Sequence, residues 1–564
     1  MNRVVSNSAW GHAIVDLLAS MGVDRFFISP GARSSAIVAA LSQKNRANLT
    51  VHYDERGMSF AALGWAMATG KPAVCVTTSG SAVANLLPAC VEASYSGVPL
   101  ILLTSDRPPE LRGTGANQAI HQPGIFGTFV RSAVDFPCPE DAVNLQELVA
   151  ALRSTIELSV GANPGPVHLN VPFREPLLPP EALALGEVFP ILLTESKPSN
   201  CTVRTPHSFF DTNKGAILIG RLPAKEQKDV IAALELGTRL GWPVFADALS
   251  GARLLQGVIG HADWILQRSD ISRPERVLHF GGALVSKRLG IWASNCKGPD
   301  YLQVRRYPLP LDPWNQAPTC ITTGIREFIE EIPSTIFQSD SQFQADWLKA
   351  NHAVAEILAS HGGECLELLE PAIARIVSEF SASTGTPVFL GNSMPVRDFD
   401  SCAPSLSRKP VPVYGNRGAS GIDGNVSTLA GVAMATQALV LAVMGDLTLL
   451  HDLNSLPLLR NLPLKLVVVN NDGGGIFQFL PLAIDPASRE QFWETPHGLD
   501  FRAAAEQFAI DYKKISTPSE LREALDLKCN GPVILECQTN RHDNFALHLR
   551  ITDEVRSLPL AWHP

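Results

Sequence analysis

The sequence lacks any stretch of 18 or more apolar residues, and its ten cysteines include no CxxC pair. No membrane-spanning helix is therefore expected, and neither a zinc site nor a disulfide framework is predicted. The N-terminal MNRVVSNSAWGHAIVDLLAS has no continuous apolar core of the signal-peptide kind. A net charge of −9 argues against nucleic-acid binding. These absences predict a cytoplasmic protein with reduced thiols, and they leave open a small anionic ligand in a locally basic pocket.

Apolar strands alternate with helices along most of the 564 residues, which predicts parallel sheets covered by helices on both faces. We predict three doubly wound α/β domains, at 1–185, 210–335 and 345–564, joined by polar linkers near 185–214 and after 330. The strands are predicted in DRFFISPG, PAVCVTTSG, PLILLTSDRPPE and GPVHLNVPF, in GAILIGR, WPVFADALSG, RVLHFGGAL and YLQVRRY, and in PVFLGNS, PVYGNRG, ALVLAVMGD, LKLVVVNND and PVILECQ. Helices are predicted in AWGHAIVDLLASMG, SFAALGWAMATG and SAVANLLPACVEA.

Oxygen-bearing side chains follow two predicted strands of the third domain. Asp446 comes after ALVLAVMG, and Asn471 comes after LKLVVVN. The carboxyl ends of parallel strands are where open α/β sheets bind ligands, and Mg²⁺ prefers one or two carboxylates together with phosphate oxygens. Glycines 473–475 would let the backbone approach a diphosphate. The alternative is a helix cap at Asp446 and an ordinary turn at NNDGG.

Gly445-Asp446, followed after about 25 residues by Asn470-Asn471, resembles the metal-diphosphate motif of thiamine-diphosphate enzymes. The family usually has Gly where this chain has Leu447. The resemblance implies that Asp446, Asn471 and the carbonyl of Gly473 bind Mg²⁺, for which Mn²⁺ would substitute. It also implies a catalytic glutamate on the pyrimidine N1′ atom of the cofactor. Glu55 in HYDERG fits that role, although a solvated acid in a turn is the alternative for the residue alone.

Further loops narrow the resemblance. They are SPGARSS (29–35), HYDERG (52–57), TSGSAVANL (79–87), TSDRPPE (104–110), GANQAIHQPG (115–124), GNSMPVRD (391–398), NRGASGIDG (416–424) and NNDGGGIF (470–477). Together they closely resemble the thiamine-diphosphate-dependent synthases of menaquinone and phylloquinone biosynthesis. That family decarboxylates 2-oxoglutarate and adds the succinyl carbanion to isochorismate. The resemblance also implies a homodimer or homotetramer, with each active site built from two chains.

The resemblance assigns site residues by number. Cofactor-binding residues would be Glu55, Ser393, Gly418, Ile422, Asp446, Leu447, Asn471, Gly473, Gly474 and Ile476. Substrate-binding residues would be Arg33, Arg107, Asn117, Gln118, Lys287, Arg288, Ser393, Arg397, Ile476, Phe477 and Leu480, with Arg417 as a further cation. Both substrates carry carboxylates, which guanidinium groups bind with two parallel hydrogen bonds. We therefore expect Arg33, Arg107 and Arg397 to contact substrate and not to form structural ion pairs.

Alternatives remain for these residues and for the function. A single arginine is more often a surface residue, and Ile476, Phe477 and Leu480 could equally pack in the core. The protein could be another thiamine-diphosphate carboligase or a 2-oxo-acid decarboxylase, although it has no adjacent His pair. A non-catalytic protein of the same fold is another reading. A nicotinamide enzyme is disfavoured because no strand is followed by GxGxxG with a spaced acid.

Overall fold

The structure is a computed structural model. It describes residues 6–44, 46–139, 145–178, 207–336, 341–361, 367–529 and 531–563. These residues form two compact units. The first contains the described part of Met1–Asn200 with Asn416–Ala435 and Asn454–Leu458, and the second contains the remainder.

The first sheet has six strands in the order β2-β1-β3-β4-β6-β5. The strands are β1 (Phe26–Ile28), β2 (Leu49–Val51), β3 (Ala73–Thr77), β4 (Leu100–Asp106), β5 (Ala133–Asp135) and β6 (Pro166–Pro172). The helices are α1 (Asn7–Ser20), α2 (Ser35–Ser42), α3 (Glu55–Thr69), α4 (Ser81–Ala84), α5 (Leu87–Ser96) and α6 (Leu145–Val160). Strands β1, β3, β4 and β6 are buried along their whole length. Their apolar runs therefore form the centre of the sheet, as expected for parallel strands covered on both faces.

The second sheet has five strands in the order β11-β10-β9-β7-β8. The strands are β7 (Gly215–Ile219), β8 (Val244–Ala246), β9 (Arg276–Phe280), β10 (Tyr301–Arg305) and β11 (Thr319–Thr322). The helices of this part are α7 (Val230–Leu240), α8 (Ala262–Ile265), α9 (Lys287–Ala293) and α10 (Ile325–Glu330).

The third sheet has six strands in the order β13-β12-β14-β15-β17-β16. The strands are β12 (Val388–Leu390), β13 (Val413–Tyr414), β14 (Val440–Gly445), β15 (Leu464–Asn470), β16 (Asp511–Ile515) and β17 (Val533–Gln538). The helices of this part are α11 (Gln342–Ser360), α12 (Glu370–Thr384), α13 (Met394–Cys402), α14 (Asn425–Thr436), α15 (Asp446–His451), α16 (Pro486–Arg489), α17 (Arg502–Gln507), α18 (Pro518–Asp526) and α19 (Arg541–Ser557). Strands β14 and β15 are adjacent, so Asp446 and Asn471 follow neighbouring strands at one edge of the sheet.

All pairings in the three sheets are parallel, which confirms the predicted fold class. The domain boundaries stay a prediction, because the first predicted linker lies largely outside the described residues. The single helix predicted at SAVANLLPACVEA is wrong, since α4 ends at Ala84 and α5 begins at Leu87. Pro88 in the first turn of α5 has no N–H to continue the preceding helix. No described helix has the length and apolarity that a membrane crossing requires.

Helices α3 and α14 approach each other closely within the first unit. A Cβ atom on Gly64 would stand 2.0 Å from the carbonyl oxygen of Thr428, and one on Gly431 would stand 2.0 Å from that of Ala61. The two glycines therefore set the separation of the helices. Glu55 begins α3, and the NRGASGIDG loop precedes α14, so this contact fixes the bases of two predicted site loops.

We predict that Gly64→Ala lowers the free energy of unfolding by about 1–3 kcal/mol, because the new methyl group would push a helix backbone away. Chemical denaturation monitored by circular dichroism measures this change. Gly531→Ala is the matched control, since nothing lies within 4 Å of a Cβ atom at that position. Equal stability of the two variants would contradict the proposed close packing.

Candidate active site

Glu55 is the first residue of α3 and is partly exposed. The carboxylate of Asp54 accepts a hydrogen bond from the main-chain N–H of Arg56 at 3.0 Å and so caps the helix. The Glu55 carboxylate lies at the positive end of the helix dipole, and its Oε2 is 3.5 Å from Nδ2 of Asn85. A reachable carboxylate at a helix start suits a role in contact with a ligand.

Asp446 is the first residue of α15 and is 2% exposed. Its Oδ1 accepts the N–H of Leu447 at 2.6 Å, and its Oδ2 accepts the N–H of Gly473 at 2.8 Å. Nε2 of His497 also lies 3.1 Å from Oδ2. Burial raises the pKa of the Asp446 carboxyl, and the hydrogen bond from Gly473 is the largest opposing effect. The contact with His497 was not anticipated from the sequence, because no motif surrounds that residue.

Asn471 lies two residues before Gly473, whose N–H binds Asp446, and is 8% exposed. Its Nδ2 donates to Oε1 of Glu370 at 2.7 Å, whereas its Oδ1 is buried without a hydrogen-bond partner. An unpaired buried oxygen is costly for stability but is well suited to bind a cation. The main-chain oxygen of Gly473 accepts the N–H of Gly475 at 3.0 Å. Carbonyl oxygens have two lone pairs, so this one keeps capacity for a further ligand.

The donor set fits Mg²⁺ better than a softer metal. No group of three or more His, Cys, Asp and Glu residues that could hold a metal occurs among the described residues. A cation here would therefore be bound by one carboxylate, one amide oxygen and one main-chain oxygen. Mg²⁺ accepts such sparse protein ligation when phosphate oxygens and water complete its shell.

Two glycines of the NNDGGG loop are needed for close packing within the protein. The sequence analysis had instead expected them to let the backbone approach a diphosphate. A Cβ atom on Gly473 would stand 2.1 Å from the carbonyl oxygen of Glu494, and φ at Gly473 is 129°. A Cβ atom on Gly474 would stand 2.8 Å from the Phe477 ring. The N–H of Gly474 donates to the same Glu494 carbonyl at 2.6 Å. These glycines thus allow the segment ending at Glu494 to pack directly on the loop.

Arg541 holds the same loop and was missed in the sequence because RHDNFA resembles no motif. Its guanidinium donates to the carbonyl oxygens of Asn471 and Asp472 at 3.2 and 2.9 Å. It also donates to the Glu494 carboxylate at 2.9 Å. Arg541 and Glu494 are 8% and 1% exposed. This buried ion pair joins three segments that are far apart in the sequence.

Glu370 and Asp398 form a buried acidic pair next to Asn471. They are 3% and 2% exposed. Burial and then the charge of Asp398 raise the pKa of Glu370 to about 8. Neither acid was singled out from the sequence, although Asp398 is the last residue of the GNSMPVRD loop.

Arg33 lies in the loop after β1 and is 3% exposed. It donates to the carbonyl oxygen of Phe173 at 2.8 Å and forms an ion pair with Glu175 at 3.1 Å. The expectation that Arg33 makes no ion pair in the protein is therefore wrong. The buried guanidinium requires an acceptor, and β6 ends close enough to supply two. Burial lowers the pKa of Arg33, and the positive charge of Arg107 adds to this effect.

Arg107 follows β4 and is partly exposed. Its Nε donates to the carbonyl oxygen of Asn117 at 3.0 Å. Gln118 has φ of 58° and its side chain donates to the carbonyl oxygen of Ser79 at 2.9 Å. Asn117 and Gln118 are themselves exposed. The structure thus brings Arg107, Asn117 and Gln118 together at the carboxyl edge of the first sheet.

Gln122 fastens this group of loops and was not recognised in the sequence. It is fully buried, and its amide accepts the N–H of Gly80 at 2.9 Å. It donates to the carbonyl oxygen of Ser105 at 3.1 Å and to the side chain of Asn170 at 2.9 Å. One amide therefore links the loops after β3 and β4 to strand β6.

In the second unit, Ser393 precedes α13 with φ of 72°, and its carbonyl oxygen accepts a hydrogen bond from exposed Arg397 at 2.5 Å. Lys287 begins α9 and is exposed, whereas Arg288 forms an ion pair with Asp263 at 2.6 Å. The charge of Arg288 is thus partly neutralised within the protein.

The apolar residues Ile476 and Phe477 are half-buried and Leu480 is 42% exposed. Core packing therefore does not fully account for these three side chains. They remain available to form an apolar wall.

The NRGASGIDG loop is held by Glu92, a buried residue of α5 that was not singled out in the sequence. The Glu92 carboxylate accepts the N–H groups of Gly418 and Ala419 at 2.6 and 2.7 Å, and the hydroxyl of Ser96 at 2.6 Å. The N–H of Gly418 is thus occupied by the protein. Ile422, four residues later, is partly exposed, so its side chain can reach a ligand.

Comparisons with known proteins agree with this arrangement. Three family models of thiamine pyrophosphate enzymes match this chain. They are the N-terminal TPP binding domain at residues 9–125, the middle domain at 188–386 and the C-terminal TPP binding domain at 407–537. A 2-succinyl-5-enolpyruvyl-6-hydroxy-3-cyclohexene-1-carboxylate synthase from Rubrobacter xylanophilus is 41% identical, covering 96% of this chain and 97% of its own. Proteins of the same name from Salinibacter ruber and Chlorobium phaeobacteroides are 36% and 35% identical over 97% and 99% of this chain, and 96% and 99% of their own.

The chain belongs to the 2-succinyl-5-enolpyruvyl-6-hydroxy-3-cyclohexene-1-carboxylate synthase family. The resemblance inferred from the sequence motifs is thereby confirmed. The matched domains also make it a thiamine-diphosphate enzyme. The roles of individual residues of this chain stay predictions.

We predict that Glu92→Gln loosens the NRGASGIDG loop, because the amide would set an N–H group against main-chain N–H donors. The expected loss is about 1–3 kcal/mol of unfolding free energy, the cost of leaving a buried donor unpaired. Hydrogen exchange at residues 418–420 should become faster. Glu157→Gln on the exposed face of α6 is the control, and unchanged exchange in Glu92→Gln would refute the prediction.

Proposed function

We propose that the protein decarboxylates 2-oxoglutarate and adds the succinyl unit 1,4 to isochorismate. The products would be 2-succinyl-5-enolpyruvyl-6-hydroxy-3-cyclohexene-1-carboxylate and carbon dioxide. The identity of 34–41% to synthases of this name over nearly the whole chain carries the proposal. Incubation with thiamine diphosphate, Mg²⁺ and both substrates, with identification of the product by mass, tests it. Consumption of pyruvate in preference to 2-oxoglutarate would instead indicate another carboligase.

Asp446, Asn471 and the carbonyl of Gly473 would hold Mg²⁺ or Mn²⁺, and the metal would bind the diphosphate. The proximity of Asp446 to Gly473 and the unpaired oxygen of Asn471 support this assignment. Leu447, Gly474, Ile476, Gly418, Ile422 and Ser393 would complete the cofactor site. For bound metal to reach Oδ2 of Asp446, the hydrogen bond from His497 would have to lengthen or break, because both face the same oxygen.

Glu55 would hold a proton on the pyrimidine N1′ atom. Bound thiamine diphosphate supplies the electron sink for decarboxylation. The protein's own contribution is orientation of the two substrates and exclusion of water. Ile476, Phe477 and Leu480 would provide the apolar wall that keeps water away.

Cations would bind the substrate carboxylates. Arg107 and Arg397 make hydrogen bonds to main-chain carbonyl oxygens, which orient the guanidinium groups. Asn117 and Gln118 would add uncharged hydrogen bonds. Arg33, Arg417, Lys287 and Arg288 are further candidates, with Arg33 and Arg288 partly neutralised by Glu175 and Asp263.

We further propose that the active protein is a homodimer or homotetramer in which Glu55 and Asp446 of one site come from different chains. Glu55→Gln and Asp446→Ala are each expected to be inactive. Mixed after reversible dissociation, they should regain about a quarter of wild-type activity, because half the dimers are mixed and each has one intact site. Refolding each variant alone is the control. Mixtures that stay inactive, although mass spectrometry shows mixed oligomers, would contradict a site shared between chains.

Arginine substitutions test the substrate assignment. Arg107→Ala and Arg397→Ala should each reduce kcat/KM for one substrate more than for the other, by about 2–5 kcal/mol in transition-state free energy. Stability should change little, because neither guanidinium is fully buried. Arg33→Ala should also lower stability, since it leaves the Phe173 carbonyl unpaired. Arg326→Ala is the control, an arginine 57% exposed in a surface ion pair with Asp229. Normal kinetics in all three variants would make these arginines structural.

A further inference from the structure

Glu370 is a fully enclosed acid whose only described side-chain contact with the candidate metal loop is the amide of Asn471. It is the first residue of α12 and is 3% exposed. Its Oε1 accepts from Nδ2 of Asn471 at 2.7 Å. The opposite end of that amide, Oδ1, is buried without a hydrogen-bond partner. One end of the Asn471 amide is therefore hydrogen-bonded, whereas the other end is buried without a hydrogen bond.

An asparagine amide has two ends of nearly equal size, and its hydrogen-bond partners decide which end points in which direction. A carboxyl group, charged or neutral, keeps at least one oxygen that only accepts. Such an oxygen attracts Nδ2 and repels Oδ1. With the amide turned over, Nδ2 would replace the oxygen at the candidate metal position, and an N–H group cannot bind a cation.

Stability alone does not explain an acid at this position. Glu370 and Asp398 are both buried, and the charge of Asp398 disfavours ionisation of Glu370. Burying two neighbouring acids costs free energy unless they have specific partners. A hydrogen bond between the carboxyls of Glu370 and Asp398 favours protonated Glu370, and the described contact that favours the charged form is the one with Asn471.

We propose that Glu370 is a positioning residue that turns the Asn471 amide so that Oδ1 faces the metal. The inference rests on the proposed metal role of Asn471. Second-layer groups of this kind commonly change metal affinity by about 10- to 100-fold. Glu370 would act on the metal only through Asn471 and would not touch it.

The test is binding of Mn²⁺ to the metal-stripped full-length protein at saturating thiamine diphosphate, measured by electron paramagnetic resonance. Glu370→Met removes the acceptor at similar size, and the dissociation constant should rise about 10- to 100-fold. Glu370→Gln keeps one accepting oxygen and should remain near the wild-type affinity. Glu379→Gln in the same helix is the control, because that residue pairs with Arg375 and Arg522 at a partly exposed position.

A second pair of variants should change the Mn²⁺ affinity in the opposite direction. This test does not depend on the folding of Glu370→Met. Asn471→Asp has two equivalent oxygens and would set a second carboxyl against Glu370, so that the two either carry like charges or share a proton, and each of these states weakens metal binding. Adding Glu370→Gln should then strengthen Mn²⁺ binding, because Gln can donate to the new carboxylate. A purely structural role for Glu370 would not reverse sign with the residue at position 471.

The outcomes separate this inference from the proposed function. Wild-type affinity in folded Glu370→Met, or no gain from Glu370→Gln in the Asn471→Asp protein, would overturn the positioning role. A wild-type protein that binds Mn²⁺ but forms no product from 2-oxoglutarate and isochorismate would overturn the proposed reaction and leave the positioning role intact. Unchanged Mn²⁺ affinity in Asn471→Ala would show that Asn471 is not a ligand and would overturn both the metal assignment and this inference.

Discussion

The NNDGGG loop after β15 is arranged around a buried amide oxygen, Oδ1 of Asn471, that has no hydrogen-bond partner. The neighbouring donors are all used elsewhere. The N–H of Gly473 donates to Asp446, that of Gly474 to the Glu494 carbonyl, and Nδ2 of Asn471 to Glu370. An unpaired buried acceptor costs about 1–3 kcal/mol. This oxygen thus stays unpaired because these three neighbouring donors are occupied elsewhere.

Keeping that arrangement requires supports from distant parts of the chain. Arg541 binds the carbonyl oxygens of Asn471 and Asp472 from one side, and Glu494 binds Arg541. The short helix Glu490–Glu494 therefore packs against the loop, and glycine at 473 is needed because the Glu494 carbonyl approaches so closely. Main-chain geometry at the loop is consequently fixed by a buried ion pair. Removing one partner of such a pair leaves a buried charge unpaired, which is far more costly than losing a surface pair.

The elements that the sequence predicted are those whose signal is local. Continuous apolar runs mark the buried strands β3, β4, β14 and β15, and Asp446 and Asn471 follow two of them directly. Strands β5, β11 and β16 were not predicted, and all three lie at sheet edges.

An edge strand has one neighbour and partly faces water, so its residues need not be apolar. DYKKI in β16 shows this clearly.

Glu370, Arg541, Glu92 and Gln122 were missed for another reason. Each acts on a loop at least 42 residues away in the sequence, such as Glu92 on Gly418 and Gln122 on Gly80, and a pattern within one segment carries no trace of that pairing.

Electrostatics in the first unit explains why the Arg33 ion pair does not remove it as a candidate for anion binding. The guanidinium is 3% exposed, whereas its partner Glu175 is 74% exposed, so water screens much of the attraction between them. Arg107 adds a second positive charge that lowers the pKa of Arg33, after the larger effect of burial. The positive charge is therefore only partly offset by the protein. A ligand carboxylate would supply the remaining compensation in a position that water reaches poorly, where each charge pair is stronger than in solution. The structural pair with Glu175 fixes the direction of the guanidinium, and the uncompensated remainder of its charge favours an anion.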